Sequence, residues 1–149
     1  MNINIRVYQE QDKERCREIA LMNWPDEPRV RRHVGFELSD PNIRTLVAEI
    51  ESPATFFPII VGWSSWCWSA ISYDVAEFVW SNIHPAYQGQ GIGRKLAEAR
   101  IKAIKEGGGK AILLTTGKPE VYKRYGFKTL DILPLWIGPE TYLMSLDLQ

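Results

Sequence analysis

The spacing of hydrophobic and polar positions changes several times along the chain, and each change marks an element. Ile3, Ile5 and Val7 alternate with polar residues, the period-two signature of a strand. Residues 11–23 then read as a helix, with Asp12 placed to cap it and Glu14 to favour its first turn. Trp24-Pro25-Asp26-Glu27-Pro28 breaks that pattern, and residues 29–38 suit a second helix before a Ser39-Asp40-Pro41 turn. Strands are expected over 43–50 and 59–69, with a turn region at 52–58 between them.

The next stretch organises the rest. Residues 77–83 are rich in aromatic and β-branched side chains and stop short of Pro85, which predicts a buried strand. Alternation puts Glu77, Val79, Ser81 and Ile83 on one face and Phe78, Trp80 and Asn82 on the other. A loop with three alternate glycines follows, Gln88-Gly89-Gln90-Gly91-Ile92-Gly93. From Ile92 the apolar spacing turns helical, through Leu96, Ala99 and Ala103, with Ala97 and Ile104 widening the stripe. Glu106-Gly107-Gly108-Gly109 ends that helix. A buried strand over 111–115, a short helix over 120–125 and strands over 127–133 and 142–148 complete the chain. The order β α α β β β α β α β β predicts an α+β fold in which a sheet of mixed direction carries helices on both faces. At 149 residues, with no linker or repeat, one domain over 1–149 is expected.

Strand, glycine loop and helix N-terminus together form an anion site. The first turn of a helix has N–H groups without internal partners. The macrodipole adds about half a positive charge there, and glycine lets a phosphate approach the backbone. Arg94 and Lys95 stand in the first turn, where acidic residues are favoured; an arriving anion relieves that conflict. The Walker pattern is excluded because Leu96, not Ser or Thr, follows Lys95. The dinucleotide fingerprint fails on glycine spacing and on the missing acid after the 111–115 strand. A third pattern, Gln/Arg-x-x-Gly-x-Gly/Ala, fits at every position from Gln88 to Gly93.

That hexapeptide resembles the pyrophosphate loop of the GNAT superfamily of acetyl-CoA-dependent N-acyltransferases. Val121-Tyr122-Lys123-Arg124-Tyr125-Gly126-Phe127 resembles the family's second signature, with one helix and one strand between the two. The resemblance implies a mixed, mostly antiparallel GNAT-like sheet and transfer of an acyl group directly from coenzyme A to an amine. It implies cofactor contacts from Asn82, Ile83, His84, Gln88, Gly89, Gln90, Gly91, Ile92, Gly93 and Arg94. Tyr122 is implied as the acid that protonates the departing thiolate, and Glu77 as a base acting through water. His84 reads more simply as structural. Many members carry an Asn after the strand that here ends at Thr116-Gly117-Lys118, so either Thr116 substitutes or that contact is absent.

In the family, the N-terminal helices and the loop before the last strand shape the acceptor pocket. Here these carry Trp24, Asp26, Glu27, Arg29, Arg31, Arg32 and His33, then Leu135-Trp136-Ile137. A solvated charged face is the simpler account of the helical group. Trp66 and Trp68 share a strand face that Trp63 does not. Core packing explains the three more simply than an aromatic wall for an apolar acceptor.

Composition narrows the partners. Lys plus Arg equals Asp plus Glu, at 18 each, so no bulk charge favours nucleic acid or a membrane surface. No apolar run reaches the roughly 18 residues of a membrane span, and no signal-peptide pattern opens the chain. Cys16 and Cys67 sit in unrelated contexts, which fits a reduced, cytoplasmic protein, and no Cys/His spacing suggests a metal. The expected reading is an acetyl-CoA-dependent N-acyltransferase acting on a small-molecule or protein amine, with no metal and with homodimerisation open. The alternatives are a non-catalytic acyl-CoA sensor and, less well supported, a nucleotide-binding regulatory domain.

Overall fold

The computed structural model describes residues 1–134 and 140–149. Leu135, Trp136 and Ile137, read above as part of an acceptor loop, lie outside the described residues. The described strands form one sheet in the order β1-β2-β3-β4-β5-β7-β6. These are β1 Ile3–Val7, β2 Arg44–Ile50, β3 Ile59–Trp68, β4 Val75–Ile83, β5 Ala111–Thr116, β6 Lys128–Leu133 and β7 Thr141–Asp147. The helices are α1 Lys13–Asn23, α2 Pro28–Leu38, α3 Ile92–Glu106 and α4 Pro119–Lys123. The chain divides into two units, one of Met1–Trp66 and Val79–Ala103, the other of Cys67–Phe78 and Ile104–Gln149.

In the first unit, β1, β2 and β3 pair antiparallel. Alternation along β2 sends Val47 and Ala48 to opposite faces, and both faces are covered. Val47 packs with Cys16, Ile19 and Ala20 of α1, Val30, Val34 and Leu38 of α2, and Ile60 and Trp63 of β3. Ala48 packs with Ile50, Val61 and, from α3, Ile92 and Leu96. Trp63 is fully buried, and its indole N–H donates to Cys16 O at 2.8 Å. Trp66 is buried too, so β3 is a core strand and the packing account of these two indoles holds. Trp63 lies 6.1 Å from Trp80, ring to ring, with planes inclined at 41°. The Trp80 indole donates to the Glu37 carboxylate of α2. Burial also pushes the Cys16 thiol up to about 12, and neither cysteine is in a disulfide.

Two helix details depart from expectation. The 11–23 segment begins as a 3-10 turn, Glu10–Asp12, before α1. Asp12 does not cap α1 through its side chain. Its carboxylate instead takes both guanidinium ends of Arg6 (2.8 and 2.9 Å) and the Gln9 N–H at 2.8 Å, while Arg6 Nε donates to Glu49 at 3.0 Å. A bidentate guanidinium is a stronger partner than one helix N–H. The Arg6 hydrogen bond also holds the Asp12 carboxyl below its ordinary value. A depressed carboxyl stabilises the fold above its unfolded pKa, about 3.9, and that contribution is lost as pH falls through the folded value. Asp12→Ala is expected to lose about 1–3 kcal/mol at pH 7. Urea unfolding at pH 7 and pH 3 checks this, and the gap to the unsubstituted protein should narrow at the lower pH.

The second departure concerns α3. Ile92, Leu96, Ala97 and Ile104 are buried as predicted, but Ala99 and Ala103 are only half-buried. The interior position between them belongs to Arg100, 1% exposed. Its guanidinium donates to Ser65 O at 3.0 Å and Trp80 O at 3.4 Å.

In the second unit β4 pairs parallel with β5 from Val75↔Ala111 to Glu77↔Leu113. Both strands run on past the last of these pairs, and the sheet splays there. β7 inserts antiparallel between β5 and β6. Gly108, at φ +89°, turns the chain out of α3, and Gly109 N–H closes on Ile104 O at 2.8 Å. The triple glycine therefore ends the helix as the sequence predicts. Among the described residues no helix is long and apolar enough to cross a membrane.

Candidate functional site

The first unit holds the glycine loop and its supports. β4 ends at Ile83, and Pro85 opens a 3-10 turn, Pro85–Tyr87. His84 caps that turn: its Nδ1 accepts from Ala86 N–H at 3.0 Å. That nitrogen is occupied and the other carries the ring proton, so the side chain has a structural task, as the sequence suggested. The His84 backbone N–H donates to Val61 O at 2.8 Å. The Tyr87 ring stands edge-on to the imidazole at 5.4 Å.

Beyond the turn Gln88, Gly89, Gln90 and Gly91 are exposed. Gly89 and Gly91 have φ of +76° and +84°, the left-handed region that other residues enter only at a cost. A Cβ at either position would meet nothing within 4 Å among the described residues. These glycines therefore serve the path of the chain and leave open space above the backbone. The first bond of the α3 ladder runs from Lys95 N–H to Gly91 O at 3.1 Å. The N–H groups of Ile92, Gly93 and Arg94 precede it and have no intrahelical acceptor. Among the described residues, then, the loop and helix start present free donors, a positive dipole end and room for an anion. Arg94 leans back along α3 to Glu98 at 3.0 Å, which offsets part of its conflict with the dipole.

Sequence reading missed one support of this loop. Gly62 of β3 lies beneath it: a Cβ there would stand 2.9 Å from Ile83 Cδ1 and 3.1 Å from Ile92 Cγ2. The glycine makes room for the two side chains that anchor the ends of the loop. β3 also bulges by one residue here, since Gly62 pairs with Ala48 but Ile60 with Glu49. A glycine inside a strand pattern was the available signal.

The second unit holds the two proposed proton-transfer residues. Tyr122 of α4 is half-buried, held edge-on by Phe127 at 5.8 Å and Tyr125 at 6.1 Å. Phe127 is buried against Phe78 at 5.6 Å. The phenol ring is thus fixed, and among the described residues its hydroxyl makes no hydrogen bond. Glu77 is half-buried on β4 and pairs with Leu113. Along β4, Ala76, Phe78 and Asn82 are buried while Val79 and Ser81 are exposed, which is the alternation the sequence predicts. Thr116 Oγ1 accepts from Lys118 N–H at 3.0 Å, closing the turn into α4.

The acceptor candidates are partly used locally. Glu27 caps α2 through the Arg29 N–H and pairs with the Arg29 guanidinium, both at 3.3 Å. Arg31 donates to Pro25 O at 2.8 Å. Trp24, Asp26, Arg32 and His33 are exposed. No group of three metal-ligating side chains occurs among the described residues.

Residues 41–129 match the family model described as "Acetyltransferase (GNAT) domain". The chain belongs to the GNAT acetyltransferase family. The matched GNAT segment contains the glycine loop, Glu77 and Tyr122, and leaves α1 and α2 outside it. Curated protein sequences give no match. Solved structures share the fold. A protein of Desulfovibrio desulfuricans assigned to the GNAT acetyltransferases superposes with a TM-score of 0.85 at 15% identity, over 98% of this chain and 99% of its own. An aminoglycoside 6'-N-acetyltransferase complexed with coenzyme A gives 0.78 at 15% identity, over 97% and 96%. The YncA protein of Salmonella typhimurium, with its cofactor acetyl-CoA, gives 0.77 at 18% identity, over 99% and 94%.

Proposed function

We propose that the whole chain acts as one acetyltransferase domain that moves an acetyl group from acetyl-CoA directly to a primary amine. The observation that carries this is the loop from Gln88 to Arg94. Its left-handed glycines, open space and unbonded N–H groups suit a pyrophosphate, and the chain is a GNAT member. The coenzyme supplies an activated thioester; the remaining tasks fall to this chain. Gln88, Gly89, Gln90, Gly91, Ile92, Gly93 and Arg94 bind the pyrophosphate. Asn82, Ile83 and His84 line the pantetheine arm at the exit of β4; with the Ile83 carbonyl taken by Asn23 and Gln88 and the His84 N–H by Val61 O, an N–H near Asn82 or Ile83 polarises the thioester oxygen.

An alkylamine with a pKa near 10.4 is overwhelmingly protonated at neutral pH. Glu77 removes its proton through water, and the free nitrogen attacks the thioester carbon. The carbon–sulfur bond then breaks, and Tyr122 gives its proton to the leaving thiolate, aided by a hydroxyl not committed elsewhere. The surplus proton on the new amide nitrogen passes through water to the Tyr122 phenolate, while Glu77 returns its own proton to solvent. The acceptor is a small-molecule or protein amine. The cytoplasm is the proposed setting, in keeping with two cysteines outside any disulfide.

Calorimetric titration with acetyl-CoA, and with ATP and NAD in parallel, tests the reading. Saturable binding of acetyl-CoA alone supports it and justifies screening amines for thiol release. Binding of ATP or NAD in its place would overturn it. Binding without turnover on any amine would favour an acyl-CoA sensor.

A further inference from the structure

The Ile83 carbonyl, at the exit of β4, receives two side-chain donors, Asn23 Nδ2 at 3.0 Å and Gln88 Nε2 at 3.2 Å. A carbonyl can only accept, so it dictates which end of each amide faces it. Asn23 Oδ1 is then left to accept from Gln88 Nε2 at 3.3 Å. Asn23 Nδ2 also reaches Asn82 Oδ1 at 3.2 Å. Asn82 must therefore turn its oxygen toward Asn23, and its own Nδ2 is buried without a partner among the described residues. Flipping Asn82 would set donor against donor. A buried orphan donor is costly, and it stands beside an Ile83 carbonyl that is doubly bonded.

Asn23 touches all three other members. It is the last residue of α1, 59 positions from Asn82 and 65 from Gln88. Its side chain must both donate and accept, which a carboxamide does and a carboxylate or an apolar group does not.

We propose that Asn23 is a positioning residue for the cofactor loop. It fixes the Gln88 side chain and the end of β4, and through them the backbone from which the pyrophosphate-binding N–H groups project. This rests on the acetyl-CoA reading above.

The test is calorimetric titration with acetyl-CoA of the unsubstituted protein, Asn23→Ala, Asn23→Asp, Gln88→Ala and the Asn23→Ala/Gln88→Ala double variant, with Tm recorded for each. Asn23→Ala and Gln88→Ala should each raise Kd about tenfold. The double variant should be little worse than either, because each change breaks the same network. Asn23→Asp should bind more weakly than Asn23→Ala, since it sets a carboxylate against the Ile83 carbonyl. An unchanged Kd in Asn23→Ala, with only a lower Tm, would reduce Asn23 to a structural role and overturn the proposal. Additive single effects would overturn it too. Should Asn23→Ala fail to fold, Asn23→Asp takes its place in the cycle with the exposed Gln88. Failure of the unsubstituted protein to bind acetyl-CoA would remove the cofactor reading itself, a result the variants are not needed to see.

Discussion

Gly91→Glu is expected to abolish acetyl-CoA binding while leaving the protein folded. Two effects add. Gly91 has a φ of +84°, and an L side chain there carries about 1–2 kcal/mol of strain. The larger effect is electrostatic. A Cβ at Gly91 meets nothing within 4 Å among the described residues, so the side chain enters the space assigned to the pyrophosphate. Two like charges about 4 Å apart at an effective dielectric near 20 repel by roughly 4 kcal/mol, about a thousandfold in Kd. Calorimetry measures the loss and circular dichroism the fold. Gly91→Asn separates the terms, because asparagine tolerates the left-handed region and adds no charge. It should bind far better than the glutamate variant. Retained affinity in Gly91→Glu would sink the loop assignment.

Tyr122→Phe should lower turnover roughly 10- to 1000-fold, guided by the scale of general-acid effects, with acetyl-CoA affinity nearly unchanged. The substitution deletes one oxygen from a ring that Phe127 and Tyr125 hold edge-on, so the packing that places the ring survives. The deleted hydroxyl has no hydrogen bond in the described structure, and its loss leaves no buried partner unsatisfied. A fall in turnover would therefore report chemistry rather than damage. Thiol release with an amine found by screening is the assay. Unchanged turnover would move the acid to another group.

Legibility followed the range of the interactions. The glycine loop, the β4 alternation and the triple-glycine helix end depend on neighbours in sequence, and all three are where the pattern puts them. Asp12 was misread because its partner Arg6 lies on another element and outcompetes a helix N–H. Arg100 was invisible to a hydrophobic stripe: arginine reads as surface, and the β3 and β4 carbonyls that its guanidinium meets lie far away in sequence. Asn23 looked like an ordinary helix end, since nothing local announces bonds to residues 59 and 65 positions away. The proposed roles of Glu77 and Tyr122 come from the family resemblance. Geometry adds that the tyrosine is held in place with its hydroxyl uncommitted.

The paired indoles of Trp63 and Trp80 are also a built-in optical probe. Two indoles held 6.1 Å apart and inclined at 41° sit in a fixed, asymmetric surrounding, the condition for a near-ultraviolet dichroism signal. The signal depends on side-chain packing, which is lost before helix and strand content when a protein loosens. Its disappearance ahead of the far-ultraviolet bands would mark the point at which α2, tied to Trp80 through Glu37, lets go of the sheet.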